Sequence, residues 1–92
     1  MSDSITLEDI KAYLSEHDLD DTVVLENPSF ETAIIGISEN NELIYDFDLM
    51  VEYLSTSMTE DEAVDFICYD TLRAIPYMPG KKPIILHKIY LW

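Results

Sequence analysis

The sequence is poor in the residues that build most chemical sites. Its 92 residues include one cysteine, Cys68, with two histidines and two glycines. A single thiol cannot form an internal disulfide or anchor a zinc site without further ligands, which favours a reducing compartment. Gly-rich phosphate loops, Walker patterns, serine elbows and HExxH motifs do not occur. We therefore expect a non-enzymatic protein without a cofactor or a metal.

Long apolar runs are also lacking. None approaches the ~20 residues that a membrane-spanning helix requires. The opening Met-Ser-Asp-Ser is acidic and lacks the basic and apolar regions of a signal peptide. Because 48% of the residues are hydrophobic, a small core is expected, in one domain over residues 1–92. These features predict a cytoplasmic protein.

Basic residues are scarce and unevenly placed. Nineteen acids against five bases give a formal net charge of −14. Residues 1–72 hold all nineteen acids and only Lys11, whereas residues 73–92 hold four bases and no acid. Phosphates would be repelled by most of this chain, which disfavours direct binding of nucleic acid or an anionic membrane. A basic protein partner is favoured instead, with solubility alone as the alternative role of the acid.

Hydrophobic periodicity predicts an α+β domain of order α-β-β-β-α-α-β. Thr6, Asp46 and Thr59 are predicted to cap three helices. Four strands are predicted, at 22–25, 32–38, 42–46 and 82–91. We expect a mainly antiparallel four-stranded sheet with the three helices packed on one face. Residues 84–92 are apolar on both faces, so they should be central in the sheet or covered by another copy of the chain.

A tight hairpin at Asn40-Asn41 is expected to organise the sheet. A loop of two or four residues would place Ile37 opposite Ile44 and Gly36 opposite Tyr45. Asparagine at both central positions suits the left-handed backbone of a two-residue turn.

Few residues point to chemistry. The strand that ends in Asp46-Phe47-Asp48 is similar to the nucleophile loop of haloacid-dehalogenase-like phosphatases, but Leu49 and Met50 follow where that family requires Thr or Gly. A helix N-cap at Asp46 and a first-turn acid at Asp48 explain both carboxylates. His17, His87 and Cys68 have no spacing that indicates a metal site or a nucleophile.

One surface is predicted to bind a partner. On the third helix, carboxylates and aromatic rings share an outward arc that suits a basic protein. The predicted contact residues are Glu60, Asp61, Glu62, Asp65, Phe66, Tyr69 and Asp70. Alternatively, the rings of Phe66 and Tyr69 pack inside the small core.

Several stretches stand out as a set: Thr32-Ala33-Ile34-Ile35-Gly36, Tyr45-Asp46, Met50, Glu62-Ala63, Asp70-Thr71-Leu72-Arg73-Ala74-Ile75-Pro76-Tyr77 and Pro83-Ile84-Ile85. In these stretches the chain resembles small acidic proteins carried by phages and integrative mobile elements of Firmicutes. The resemblance assigns no site, but it implies an accessory role in a mobile element within a bacterial host cell. Such elements encode acidic inhibitors of host defence, including anti-CRISPR proteins and DNA mimics.

Together these observations predict a binding protein that occludes a basic, nucleic-acid-binding surface of a host defence protein. A CRISPR effector such as Cas9 is the most specific target expected. The alternative is a structural accessory protein that forms a homodimer through residues 84–92, with the acid only solubilising.

Overall fold

The chain runs from a first helix through a β-hairpin and a group of helices to a last strand. A computed structural model of the protein describes residues 6–26 and 28–89. Its elements are α1 (Leu7–Glu16), β1 (Ile34–Ile37), β2 (Leu43–Asp46), α2 (Phe47–Leu54), α3 (Glu60–Phe66), α4 (Leu72–Ala74) and β3 (Ile84–Leu86). A π-helical turn, Ile67–Thr71, joins α3 to α4, so residues 60–74 form one helical segment. None of the described helices is long and apolar enough to cross a membrane.

All three predicted helix starts are confirmed. Thr6 and Thr59 each accept a hydrogen bond from the backbone of the third helical residue, and that residue's carboxylate accepts one in return. Asp46 caps α2 through Oδ1, which accepts from Leu49 N at 3.1 Å. These bonds satisfy backbone donors that the first helical turn leaves unpaired.

The predicted four-stranded, mainly antiparallel sheet is wrong. Within the described residues the sheet has three strands in the order β1-β2-β3. β1 pairs with β2 antiparallel, but β3 pairs with β2 parallel. The helices between β2 and β3 carry the chain back to the starting end of β2, as a parallel pair requires. Residues 84–86 therefore form an edge strand and not the central one.

The predicted hairpin register is also wrong. Ile37 lies opposite Leu43 and Gly36 opposite Ile44, with a bulge before Ile34 pairs with Tyr45. Ser38 and Glu42 close a loop of three residues, in which only Asn41 has a positive φ. This is the common three-residue hairpin, in which the last loop residue is left-handed, and its odd length shifts the pairing by one.

No strand forms at 22–25, where the sequence predicted one. Thr22 makes an isolated parallel bridge with Lys81 instead, and residues 23–26 have no regular secondary structure. We call residues 22–26 the extended segment. Residues 31–33 form a 3-10 turn after Phe30, which has φ 50° and is fully buried. Phe30 packs against the ring of Tyr53 at 5.4 Å. Burial of the Phe30 ring in the core outweighs the strand pairing that the β-branched residues of the 22–25 stretch favour.

The core lies between the sheet and the helices that follow β2. Leu43 and Tyr45 of the central strand join Met50 of α2 and Ala63 and Ile67 of the third helical segment in one buried cluster. The opposite face of the sheet carries Ile44 and Ile84, which pair across β2 and β3.

Tyr45 links this core to the extended segment. Its ring is fully buried, and its hydroxyl oxygen accepts a hydrogen bond from Leu25 N at 3.1 Å. Burial raises the pKa of the Tyr45 phenol above 10.0, partly offset by the Leu25 N–H. Above the ordinary phenol pKa the unfolded chain loses this proton while the folded chain holds it. Tyr45 therefore makes stability fall as the pH rises above about 10.

We expect Tyr45→Phe to lower the free energy of unfolding by about 1–2 kcal/mol at neutral pH, because Leu25 N–H loses its buried acceptor. The same variant should lose less stability than the wild type between neutral and alkaline pH. Urea unfolding at both pH values measures this, with Tyr77→Phe as the control because Tyr77 is 88% exposed. An equal alkaline loss in Tyr45→Phe and the wild type would contradict the account.

Candidate protein-binding surface

The third helical segment presents a row of carboxylates to solvent. All five acids of the predicted contact set are exposed: Glu60, Asp61, Glu62, Asp65 and Asp70. We call these five, together with Tyr69, the acidic face. The helix places them together because its opposite side, led by Ala63 and Ile67, is fully buried.

The two aromatic residues of the predicted set differ in their exposure to solvent. Tyr69 is 65% exposed and stands among the carboxylates. Phe66 is half-buried and packs against the core, as the alternative interpretation held. The acidic face therefore offers one exposed ring and not two.

Glu62 also has a structural role. Its Oε1 accepts a hydrogen bond from Thr59 N at 3.0 Å, which completes the capping box of α3. Asp65 and Asp70 lie beyond this first turn, so they are better suited to mutational tests of binding.

A cavity of about 240 Å³ opens where the acidic face ends. Phe66, Asp70 and Thr71 line it from the helical segment, and Glu26 lines it from the extended segment. Thr71 is only 8% exposed. The sequence did not indicate this cavity, because its two walls are about forty positions apart in the chain.

Basic groups of the chain lie against acids elsewhere. Lys11 Nζ is 3.3 Å from Glu26 Oε1, and both side chains are about half exposed or more. Lys81 lines a pocket with Asp18, Asp20 and Asp21. An exposed pair such as Lys11–Glu26 contributes about 0–1 kcal/mol, so a partner's basic group can replace Lys11.

Asp46 is buried at the end of β2 and is 1% exposed. Its Oδ2 accepts no hydrogen bond of good geometry from the described residues, but Lys88 Nζ lies 3.2 Å away. The ion pair compensates the buried charge, while Oδ1 caps α2. Asp46 therefore connects the chain after β3, through Lys88, to the start of α2. The prediction that Asp46 caps this helix is confirmed.

The two histidines and the cysteine do not converge. The ring of His17 packs on Tyr13 at 4.4 Å, and that of His87 packs on Phe47 at 4.7 Å. Cys68 is partly buried on the third helical segment. The described residues contain no group of three His, Cys, Asp or Glu side chains that could hold a metal ion.

We expect Asp46→Ala to lower the free energy of unfolding by about 1–2 kcal/mol through loss of the cap alone, with loss of the ion pair adding to this. Asp46→Asn is the matched control, because asparagine caps as well as aspartate but carries no charge. Urea unfolding should rank the proteins as wild type, Asn variant and Ala variant, in falling stability. Equal stability of the Ala and Asn variants would show that the cap contributes nothing.

The fold and this surface define a small α+β protein with an acidic face on its third helical segment. Comparison with protein-family models, with curated proteins and with solved structures gives no significant match to this chain. The resemblance to proteins of Firmicutes phages and integrative elements therefore stays a prediction.

Proposed function

We propose that the protein is a non-enzymatic binding protein that occludes a basic, nucleic-acid-binding surface on another protein. The exposure of all five carboxylates on one helical segment, beside the exposed ring of Tyr69, carries this proposal. A mobile-element inhibitor of host defence that acts in the bacterial cytoplasm is the specific form we propose. The most specific target that we propose is a CRISPR effector such as Cas9.

The acidic face has the chemistry that such contact needs. Carboxylates pair with lysine and arginine, which nucleic-acid-binding proteins present to phosphates. A net charge of −14 steers encounter with a positive groove. The ring of Tyr69 supplies the apolar anchor that interface hot spots commonly contain. Binding at this face would exclude nucleic acid from the same groove.

A capture experiment tests the proposal. The immobilised protein is incubated with a bacterial lysate, and the captured proteins are eluted with duplex DNA or with raised salt. Purified Cas9 with its guide RNA is tested in parallel. We expect capture of a nucleic-acid-binding protein that DNA releases. Capture of nothing at low salt, or only of proteins that DNA does not release, would contradict the proposal.

A second candidate function is self-association through the C-terminal strand. β3 is an edge strand of the described sheet, and its Ile84 and Leu86 are each more than one-third exposed. Ile89, just beyond it, is 78% exposed. An apolar edge strand can pair with another copy, so a homodimer through residues 84–92 is the second candidate; residues 90–92 of this range lie outside the described residues. Light scattering that shows a dimer stable in high salt would favour it, and a monomer at all salt concentrations would exclude it.

A further inference from the structure

The cavity at the end of the acidic face combines the three features that hold a guanidinium group. Its lining is largely apolar and includes the half-buried ring of Phe66 and the side chains of Ala74 and Met78. Carboxylates stand on two of its sides, Asp70 on the helical segment and Glu26 on the extended segment. At about 240 Å³ it is far larger than the ~30 Å³ that one water molecule occupies in the liquid.

Thr71 adds a hydrogen-bonding group to the lining of this cavity. Its side chain lines the cavity and is 8% exposed. Among the described residues it has no side-chain hydrogen bond. Within the described part of the chain, Asp46 Oδ2 is the fully buried side-chain atom without a hydrogen-bond partner. The Thr71 hydroxyl is therefore open to the cavity, where it can accept a hydrogen bond from a bound group. Thr71 also ends a π-helical turn, a feature that is frequent at functional sites.

We propose that this cavity receives an arginine side chain of the basic partner. The methylene stem of arginine would lie on Met78 and Ala74, and its planar head would lie against the ring of Phe66. The guanidinium, with its fork of five N–H donors, would donate to the carboxylates of Asp70 and Glu26. Another of its N–H groups would donate to the Thr71 hydroxyl.

Arginine fits this arrangement better than lysine does. The carboxylates lie on separate elements on two sides of the cavity, so a planar, multidentate head matches them while a compact ammonium reaches one. Within the chain, Lys11 already places an ammonium 3.3 Å from Glu26. That pair is exposed and weak, and the arginine would displace Lys11 from Glu26 on binding.

This inference rests on the proposed function, and one titration separates the two. The probes are a peptide of alternating arginine and glycine and its lysine counterpart of equal length and charge. Binding to the isotope-labelled protein is followed by NMR at low salt. We expect the arginine peptide to bind several-fold more tightly and to shift the amide resonances of Leu25, Thr71 and Ala74.

Two pairs of variants sharpen the test. Asp70→Asn removes a carboxylate of the cavity, and Asp65→Asn removes one from the same helical segment outside it. We expect about a tenfold loss of arginine-peptide affinity for the first and about a twofold loss for the second. Ala74→Leu, at an exposed position, should block the cavity, whereas Thr71→Val should remove only the hydroxyl and weaken binding less.

The outcomes are distinct. Arginine preference with the larger effect at Asp70 supports the assignment. Equal binding of both peptides, with equal effects of the two Asn variants, overturns the arginine site and leaves the acidic face as a diffuse contact. Absence of binding by either peptide overturns the arginine site and the proposed function together.

Discussion

Gly80→Ala is expected to destabilise the protein by about 2–4 kcal/mol. Gly80 has φ +88°, in the left-handed region where an alanine is strained. A Cβ at this position would also lie against the backbone carbonyl oxygen of Asp21, closer than van der Waals contact allows. That oxygen accepts a hydrogen bond from Lys81 N at 2.7 Å, so it cannot move without loss of the bond. Strain and overpacking each contribute about 1–3 kcal/mol in such cases.

Gly80→Ala should also disturb the contact between residues 21–23 and residues 80–81. Val23 N donates to Lys81 O at 3.0 Å, so the two backbone bonds of Lys81, the residue after Gly80, join the 21–23 segment to the chain before β3. Gly36→Ala is the matched control, because no atom lies within 4 Å of its added Cβ. Urea unfolding should show a large loss for Gly80→Ala and no loss for Gly36→Ala. Equal stabilities of these two variants would contradict the described contact between residues 21–23 and 80–81.

Charge reversal on the acidic face should weaken partner binding by about 100-fold or more. The variant carries Lys at Asp61, Asp65 and Asp70, all exposed, and it leaves the capping residue Glu62 intact. Each reversal removes a favourable charge pair and adds a repulsive one, and tenfold in affinity corresponds to about 1.4 kcal/mol. Affinity for the protein captured from the lysate is measured at fixed salt, with circular dichroism to verify the fold.

A control with the same net charge separates local contact from general attraction. Glu16, Glu39 and Glu52 are exposed acids on three other elements, and their reversal to Lys changes the net charge equally. We expect this control to slow association and to weaken binding far less. Equal losses in both triple variants would show that the acidic face is not the contact surface.

The sequence predicted local structure well because local rules decide it. The capping boxes at Thr6 and Thr59 and the cap at Asp46 depend on residues three positions apart, and all three are confirmed. The exposed carboxylates of the third helical segment follow from its periodicity. These features could therefore be located in the sequence by residue number.

The sheet could not be predicted, because its pairing depends on distant contacts. The bridge between Thr22 and Lys81 joins segments nearly sixty residues apart, and no periodicity encodes it. One extra loop residue before Glu42 was enough to shift the hairpin register. The cavity beside Asp70 was missed for the same reason, since Glu26 reaches it only through the tertiary fold.

Competition with nucleic acid on the captured partner is the most direct test of occlusion. Labelled DNA is bound to that partner, the protein is added at increasing concentration, and the anisotropy of the DNA is followed. We predict complete release of the DNA by the wild type and little release by the Asp61, Asp65 and Asp70 reversal variant. A ternary complex, in which the partner holds DNA and this protein at once, would contradict the account.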